Sequence, residues 1–212
     1  MPQMTLVTQL TRARQFHGTV TRHVNELAPA EGERFLASFQ CGLLSLEHAI
    51  SAAALIDIGH FASAFALYRP QFESLVRGIW LLHAASDGWV NKLSAPLTIE
   101  SAKKANEGLG MADMLTALES SEAPEHIVKQ LQLYRDVTWK ALNSFTHVGI
   151  HPIARTAEGY PEQLVIDSLR NSNALVSLAS QLLAISSGDP DNMIPVRRFH
   201  VEFADCLPIV SA

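Results

Sequence analysis

Apolar residues recur along this chain at alternating spacings of three and four, the signature of one buried face of an α-helix. Leu6, Leu10, Ala13, His17, Val20, Val24 and Leu27 form the first such line, which Pro29 closes. Leu36, Phe39, Leu43, Leu46, Ile50 and Ala53 form the second, and the stretch 57–60 around Gly59 breaks it. The third runs through Phe61, Phe65, Tyr68, Phe72, Leu75, Ile79 and Leu82, with Pro70 in its interior. A proline there lacks an amide donor and crowds the preceding turn, so a bend or a split is expected, with a carbonyl freed near Arg69. From Ser86 to Ser121 the rhythm yields to Asp87-Gly88, Pro96, Gly108 and Gly110, with short helical pieces expected around Thr98–Glu107 and Met111–Glu119. This region (86–121) reads as an insertion or cap. The four-three spacing resumes at Ile127, Leu131, Tyr134, Thr138, Ala141 and Phe145 and runs to His147. Val148 to Pro161, with Gly149, Pro152, Gly159 and Pro161, reads as a loop. A last long helix carries Leu164, Leu175, Leu178, Leu182 and Ile185 and stops at Gly188, and a short helix is expected around Val196–Cys206. No alternating strand pattern or repeat stands out. The predicted fold is all-α, one domain over residues 1–212, with about five long helices packed antiparallel and short extra helices.

The third line differs from the others in being apolar on nearly every side. Its only charged residues, Arg69, Glu73 and Arg77, are four apart and fall within an arc of about 80°. A helix hydrophobic all round belongs in the middle of a bundle, and charge there has to be paired or functional, because unpaired buried charge is prohibitively costly. The run is long enough to span a bilayer, but three stacked charges at its centre favour a core helix over a membrane span.

Composition narrows the classes further. The 212 residues are 48% hydrophobic and 17% charged, which is globular. A net charge of −5 argues against a chain built mainly to hold nucleic acid, while leaving room for a local basic pocket. Cys41 and Cys206 form no metal or disulfide framework, and the N-terminal segment 1–21 has no signal-like apolar run. Together these point to the cytoplasm and to no membrane association.

Two constellations can carry chemistry. Glu73, one turn from an arginine on either side, can accept bonds from both guanidinium groups and leave a net positive site. Ala62, Ala66 and Trp80 lie on or beside the stripe, offering space and a ring wall. The same trio serves equally as an anion pocket or as a buried ion-pair ladder that fixes helix register. The second constellation is Asn143 and His147, four apart at a helix end, followed by Gly149 and His151. His147 and His151 have the spacing of helical metal ligands, but Gly149 and Pro152 break the helix there and no third ligand is identifiable, so neither metal nor cofactor is expected. A histidine at a helix C-terminus is stabilised as a cation, which suits an acid role or simple capping.

The stretch Arg69-Pro70-Gln71-Phe72-Glu73-Ser74-Leu75-Val76-Arg77-Gly78-Ile79-Trp80, with Ser144-Phe145-Thr146-His147, resembles a group of uncharacterised bacterial helical proteins, themselves similar to the HEPN-type bundles of toxin and phage-defence systems. The resemblance implies a metal-independent ribonuclease working on RNA, commonly as a homodimer, with an arginine and, four to six residues on, a histidine. Arg77 and His83 have that spacing, though inside an early helix and about 120° apart on it, not at the late loop-to-helix junction the family uses. On this reading Arg77, His147 and Glu73 are catalytic, with His147 as general acid or base, and Arg69, Asn143, Trp80 and His151 bind an RNA or other phosphate-containing ligand. The alternative is a non-catalytic scaffold or protein-interaction bundle in which the same residues form a structural network and exposed helices pair with a second copy or a protein partner.

Overall fold

The computed structural model describes residues 5–105 and 109–208. The chain is an all-α bundle, with ten α-helices and no strand among the described residues: α1 (Leu6–Val24), α2 (Glu33–Asp57), α3 (Phe61–His83), α4 (Asp87–Ser94), α5 (Ile99–Ala105), α6 (Met111–Glu119), α7 (Glu125–Thr146), α8 (Ile150–Glu158), α9 (Glu162–Ser186) and α10 (Met193–Glu202). The five long helices expected from the periodicity are α1, α2, α3, α7 and α9.

The centre is the hairpin of α2 and α3, folded back on itself at Gly59, whose φ of 78° is a conformation that suits glycine. Against it lies α9, at very short range. A Cβ placed on Gly78 of α3 would stand 2.6 Å from Leu182 of α9 and 3.0 Å from the Cβ of Cys41 on α2. On α2 a Cβ on Gly42 would stand 2.9 Å from Leu183. Missing side chains therefore let three backbones meet, and Ser38 on α2 donates to the carbonyl of Gly78 at 2.9 Å.

This tight junction explains where the sequence pattern misleads on α2. Leu36, Leu43 and Ile50 are about two-fifths exposed, whereas Gly42, Ala49, Ala52, Ala53 and Ile56 are buried. Small residues face the close contact, which turns the larger ones outward. Among the described residues α2, not α3, is the helix long and apolar enough to cross a membrane, yet 44% of that window is buried within the bundle.

α3 continues unbroken through Pro70. Neighbours hold it on several sides, since it packs on α2, α6, α7, α8 and α9, and the lost backbone bond is outweighed by that packing. One link is a buried reciprocal pair: Gln71 donates to the carbonyl of Ser172 on α9 at 3.0 Å, and the Ser172 hydroxyl donates back to Gln71 at 2.8 Å.

Two further expectations are corrected. The region 86–121 is more than a cap, because Met114, Leu115 and Leu118 of α6 are fully buried in the main core beside Phe72, Trp80 and Leu131. The piece expected over 98–107 is observed as α5, and residues 106–108 lie outside the described residues, as do residues 1–4 of the N-terminal segment. The expected loop Val148–Pro161 contains α8, with Pro152 in its first turn, where the missing amide costs nothing. Ser144 of α7 accepts from the His151 amide at 3.0 Å and so caps α8 from the preceding helix.

The end of the described chain is clasped to α1 and α9. The carbonyl of Cys206 accepts from Asn173 at 2.9 Å and from Gln9 at 3.2 Å, and His17 bonds Asn173 at 2.8 Å. Outside this buried set Arg12 grips Asp205 at 2.6 and 2.8 Å. Burial pushes the His17 imidazole down to about 4, the Asn173 contact opposing it only in part.

Candidate functional site

The polar stripe of α3 opens onto a cavity of about 380 Å³ bounded by α3, α6 and α7. Arg69, Glu73 and Arg77 form one wall, one helical turn apart. Gly110, Met111, Ala112 and Met114, preceded by Leu109, supply a second wall from the start of α6, where the Gly110 amide donates to Asp113 at 3.2 Å and fixes the helix entry. Arg135 and Trp139, four apart on the inner side of α7, supply the third.

Each arginine is held differently. Arg69 donates to Glu73 at 2.9 Å, places its guanidinium 4.9 Å from the centre of the Trp139 ring, and brings Nη1 to 2.5 Å from Nε2 of His147. For that last contact to be a hydrogen bond Nε2 has to accept, so the ring proton sits on Nδ1. Arg135 is engaged by its exposed neighbour Asp136 at 2.7 Å. Arg77 makes no hydrogen bond or ion pair among the described residues. Glu73 thus bonds one of its flanking arginines, not both. Three arginines and one carboxylate give the lining a formal charge of +2.

The sequence-predicted residues divide into those the fold gathers and those it does not. Arg69, Glu73 and Arg77 line the cavity, and His147 touches it through Arg69. Asn143 is on α7 but outside the lining, with its Oδ1 buried and without a hydrogen-bond partner. Trp80 is buried away from the cavity, edge-on to Trp89 at 5.9 Å. His151 is exposed on α8, its ring 6.1 Å from Phe145. His83 is half-buried at the far end of α3, with its pKa lowered by burial against the weaker pull of Glu122, so Arg77 and His83 do not share the cavity. Among the described residues no three His, Cys, Asp or Glu side chains converge as a metal site would need.

Arg135 and Trp139 are the residues that periodicity passes over. They sit one position beyond the apolar line Tyr134, Thr138, Ala141, and the only signal for them is an Arg and an aromatic at the i,i+4 spacing already seen in the α3 stripe.

An all-helical bundle with one arginine-lined cavity is the class that the fold and the site define. The chain matches the model of DUF6988, a family of unknown function, over residues 42–209, and belongs to that family. No curated protein and no solved structure matches it.

Proposed function

We propose that this protein is a cytoplasmic binding module for a phosphate-bearing ligand, received in the cavity between α3, α6 and α7. The observation that carries the proposal is Arg77, a guanidinium on the cavity wall with no partner of its own among the described residues, in a lining of formal charge +2. An ion-pair ladder built for stability alone would close on itself, and here Glu73 closes only on Arg69. A guanidinium fork fits two oxygens of a phosphate in parallel. The cavity is the size of small-ligand sites, and Trp139, Met111 and Met114 give an apolar body somewhere to lie beside the charge.

The test is titration of the folded protein with inorganic phosphate, pyrophosphate and a mononucleotide, followed by tryptophan fluorescence and calorimetry. Binding by at least one probe, weakened about tenfold or more in Arg77→Gln with the melting curve unchanged, is the expected result. Silence from all three probes at millimolar concentration, or equal affinity in Arg77→Gln, removes the proposal.

The Arg69–His147 contact favours a second reading, metal-independent cleavage of RNA, as the HEPN resemblance implies. On that reading His147 exchanges a proton at the reacting oxygen and Arg69 and Arg77 stabilise the developing phosphorane charge. RNA degradation in the presence of a chelator, abolished by His147→Ala, is what it requires. Cleavage that survives His147→Ala is contamination.

A further inference from the structure

The outer side of α7 faces away from the cavity and carries two large exposed apolar residues one turn apart, Leu133 at 66% and Val137 at 72% exposure. Beside them lie Glu125, Lys129, Asp136 and Lys140, all exposed; within the chain Lys129 pairs with Glu125 at 2.6 Å and Asp136 with Arg135 at 2.7 Å, surface pairs that a second copy can extend. Measured from Leu133 at about 100° per residue, Lys140, Lys129, Asp136 and Glu125 fall at roughly 20°, 40°, 60° and 80° to one side, and Val137 falls about 40° to the other. His126 and Gln130, also exposed, fall at about 20° and 60° on the Val137 side, so the face has an apolar pair at its centre, a charged flank on one side and uncharged polar residues on the other.

The charged flank reads acidic, basic, acidic, basic along the helix, and its spacing is symmetric. Lys129 and Asp136 are equidistant from the point midway between residues 132 and 133, and so are Glu125 and Lys140. A twofold axis through that point, perpendicular to the plane of two antiparallel helices, keeps each flank on its own side and reverses its order. Lys129 then stands level with Asp136 of the second copy, and Glu125 with Lys140 of the second copy. Leu133 meets Leu133 of the second copy at the axis.

We infer that α7 is the docking surface for a second copy of this chain, antiparallel and twofold-symmetric about the midpoint of residues 132 and 133. Self-complementarity is what a twofold interface demands, because the same patch has to serve as both partners. The other exposed apolar line, Leu36, Leu43 and Ile50 on α2, has Glu33, Glu47 and Asp57 as the charges along that helix's outer side, all acidic, with Asp57 paired to Arg14, and lacks the alternating pattern of α7. A single helix of 22 residues is about 33 Å long and buries less than the ~1,200 Å² of a firm interface, so the dimer is concentration-dependent. Arg135 and Trp139 fall about 160° and 120° from Leu133, so this face does not line the cavity, but Asp136 bonds the cavity-lining Arg135 at 2.7 Å, and Asp136→Lys is therefore read by association and not by ligand binding.

Sedimentation velocity from low micromolar to about 200 µM tests it. The expected mass rises from 23.2 kDa toward twice that value, with a shift toward monomer at high salt. Leu133→Asp sets two carboxylates face to face near the axis and leaves a monomer. Lys129→Glu and Asp136→Lys each weaken association by about tenfold, and the double exchange restores it. These side chains are solvent-exposed, and circular dichroism confirms that each variant is folded. A chain monomeric at the highest concentration, a dimer indifferent to Leu133→Asp, or a double exchange that fails to restore pairing overturns the inference.

Discussion

Lowering the pH perturbs one buried group above all, His17. Its Nε2 is 2.8 Å from Asn173 Oδ1, and because Asn173 spends its amide on the Cys206 carbonyl, that oxygen is an acceptor and the imidazole is the donor. The ring is held neutral, with a folded-state pKa of about 4 set mainly by burial, against an ordinary value of 6.5 in the unfolded chain. Above pH 6.5 neither state takes a proton and stability is unaffected. Between 6.5 and 4 the unfolded chain binds a proton that the fold refuses, so stability falls as pH falls, by at most about 1.4 kcal/mol per unit. Below 4 both states are protonated and the loss is complete, at about 3 kcal/mol. His83 and His200 are also lowered by burial and act with the same sign, but His83 is only partly buried and His200 lies at the surface, so both contribute less. The measurement is urea denaturation at several pH values from 7.5 to 4, on the parent and on His17→Gln, whose amide can still donate to Asn173. Subtracting the two curves isolates His17, and a difference of about 3 kcal/mol confined to the window from pH 6.5 to 4 is expected. Parallel curves would show that the imidazole is not a neutral donor in the fold, and the clasp around Cys206 would have to be redrawn.

Three other outcomes follow from the geometry. Gly78→Ala places a methyl 2.6 Å from Leu182 at the junction of α2, α3 and α9 and is expected to cost about 1–3 kcal/mol, read as a lowered melting temperature. Glu73→Ala removes a partly exposed partner of Arg69 and is expected to cost less than about 1 kcal/mol while tightening phosphate binding several-fold; a large destabilisation with no change in affinity would favour the structural-ladder reading. Burial raises both thiols to about 11, Cys41 against the weaker influence of Arg77, so neither is expected to react with a thiol reagent at pH 8 at more than a small fraction of the rate seen after denaturation.

Helix-forming periodicity was enough to locate the long helices, because burial of one face dictates the spacing of apolar residues whatever they pack against. It was less able to say which face of α2 turns inward. There the deciding contact is a backbone approach allowed by Gly42, Gly78 and several alanines, and small residues barely register in a hydrophobic pattern. Short elements such as α4 and α8 were hidden by Gly and Pro, which punctuate a sequence whether they end a helix or begin one, and Pro152 does the latter. At the cavity, the stripe on α3 was legible because charge in an apolar helix is conspicuous. Arg135 and Trp139 were not, because α7 is amphipathic and an arginine or a tryptophan at the border of its apolar face is unremarkable. The position of Trp80 against Trp89 likewise depended on α4, an element that the pattern did not reveal.

The stretch shared with the family begins at residue 42, inside α2, whereas the clasp that secures the last turns of the chain draws on α1. Phe16 packs on Phe203 at 5.1 Å, and Val20 and Val24 are buried in the same core. The matched stretch and the cooperative core therefore have different edges here. Cutting the protein at the border of the shared stretch would open an oily trough along α9 and α10, and any relative that lacks a counterpart of α1 has to roof that trough by other means.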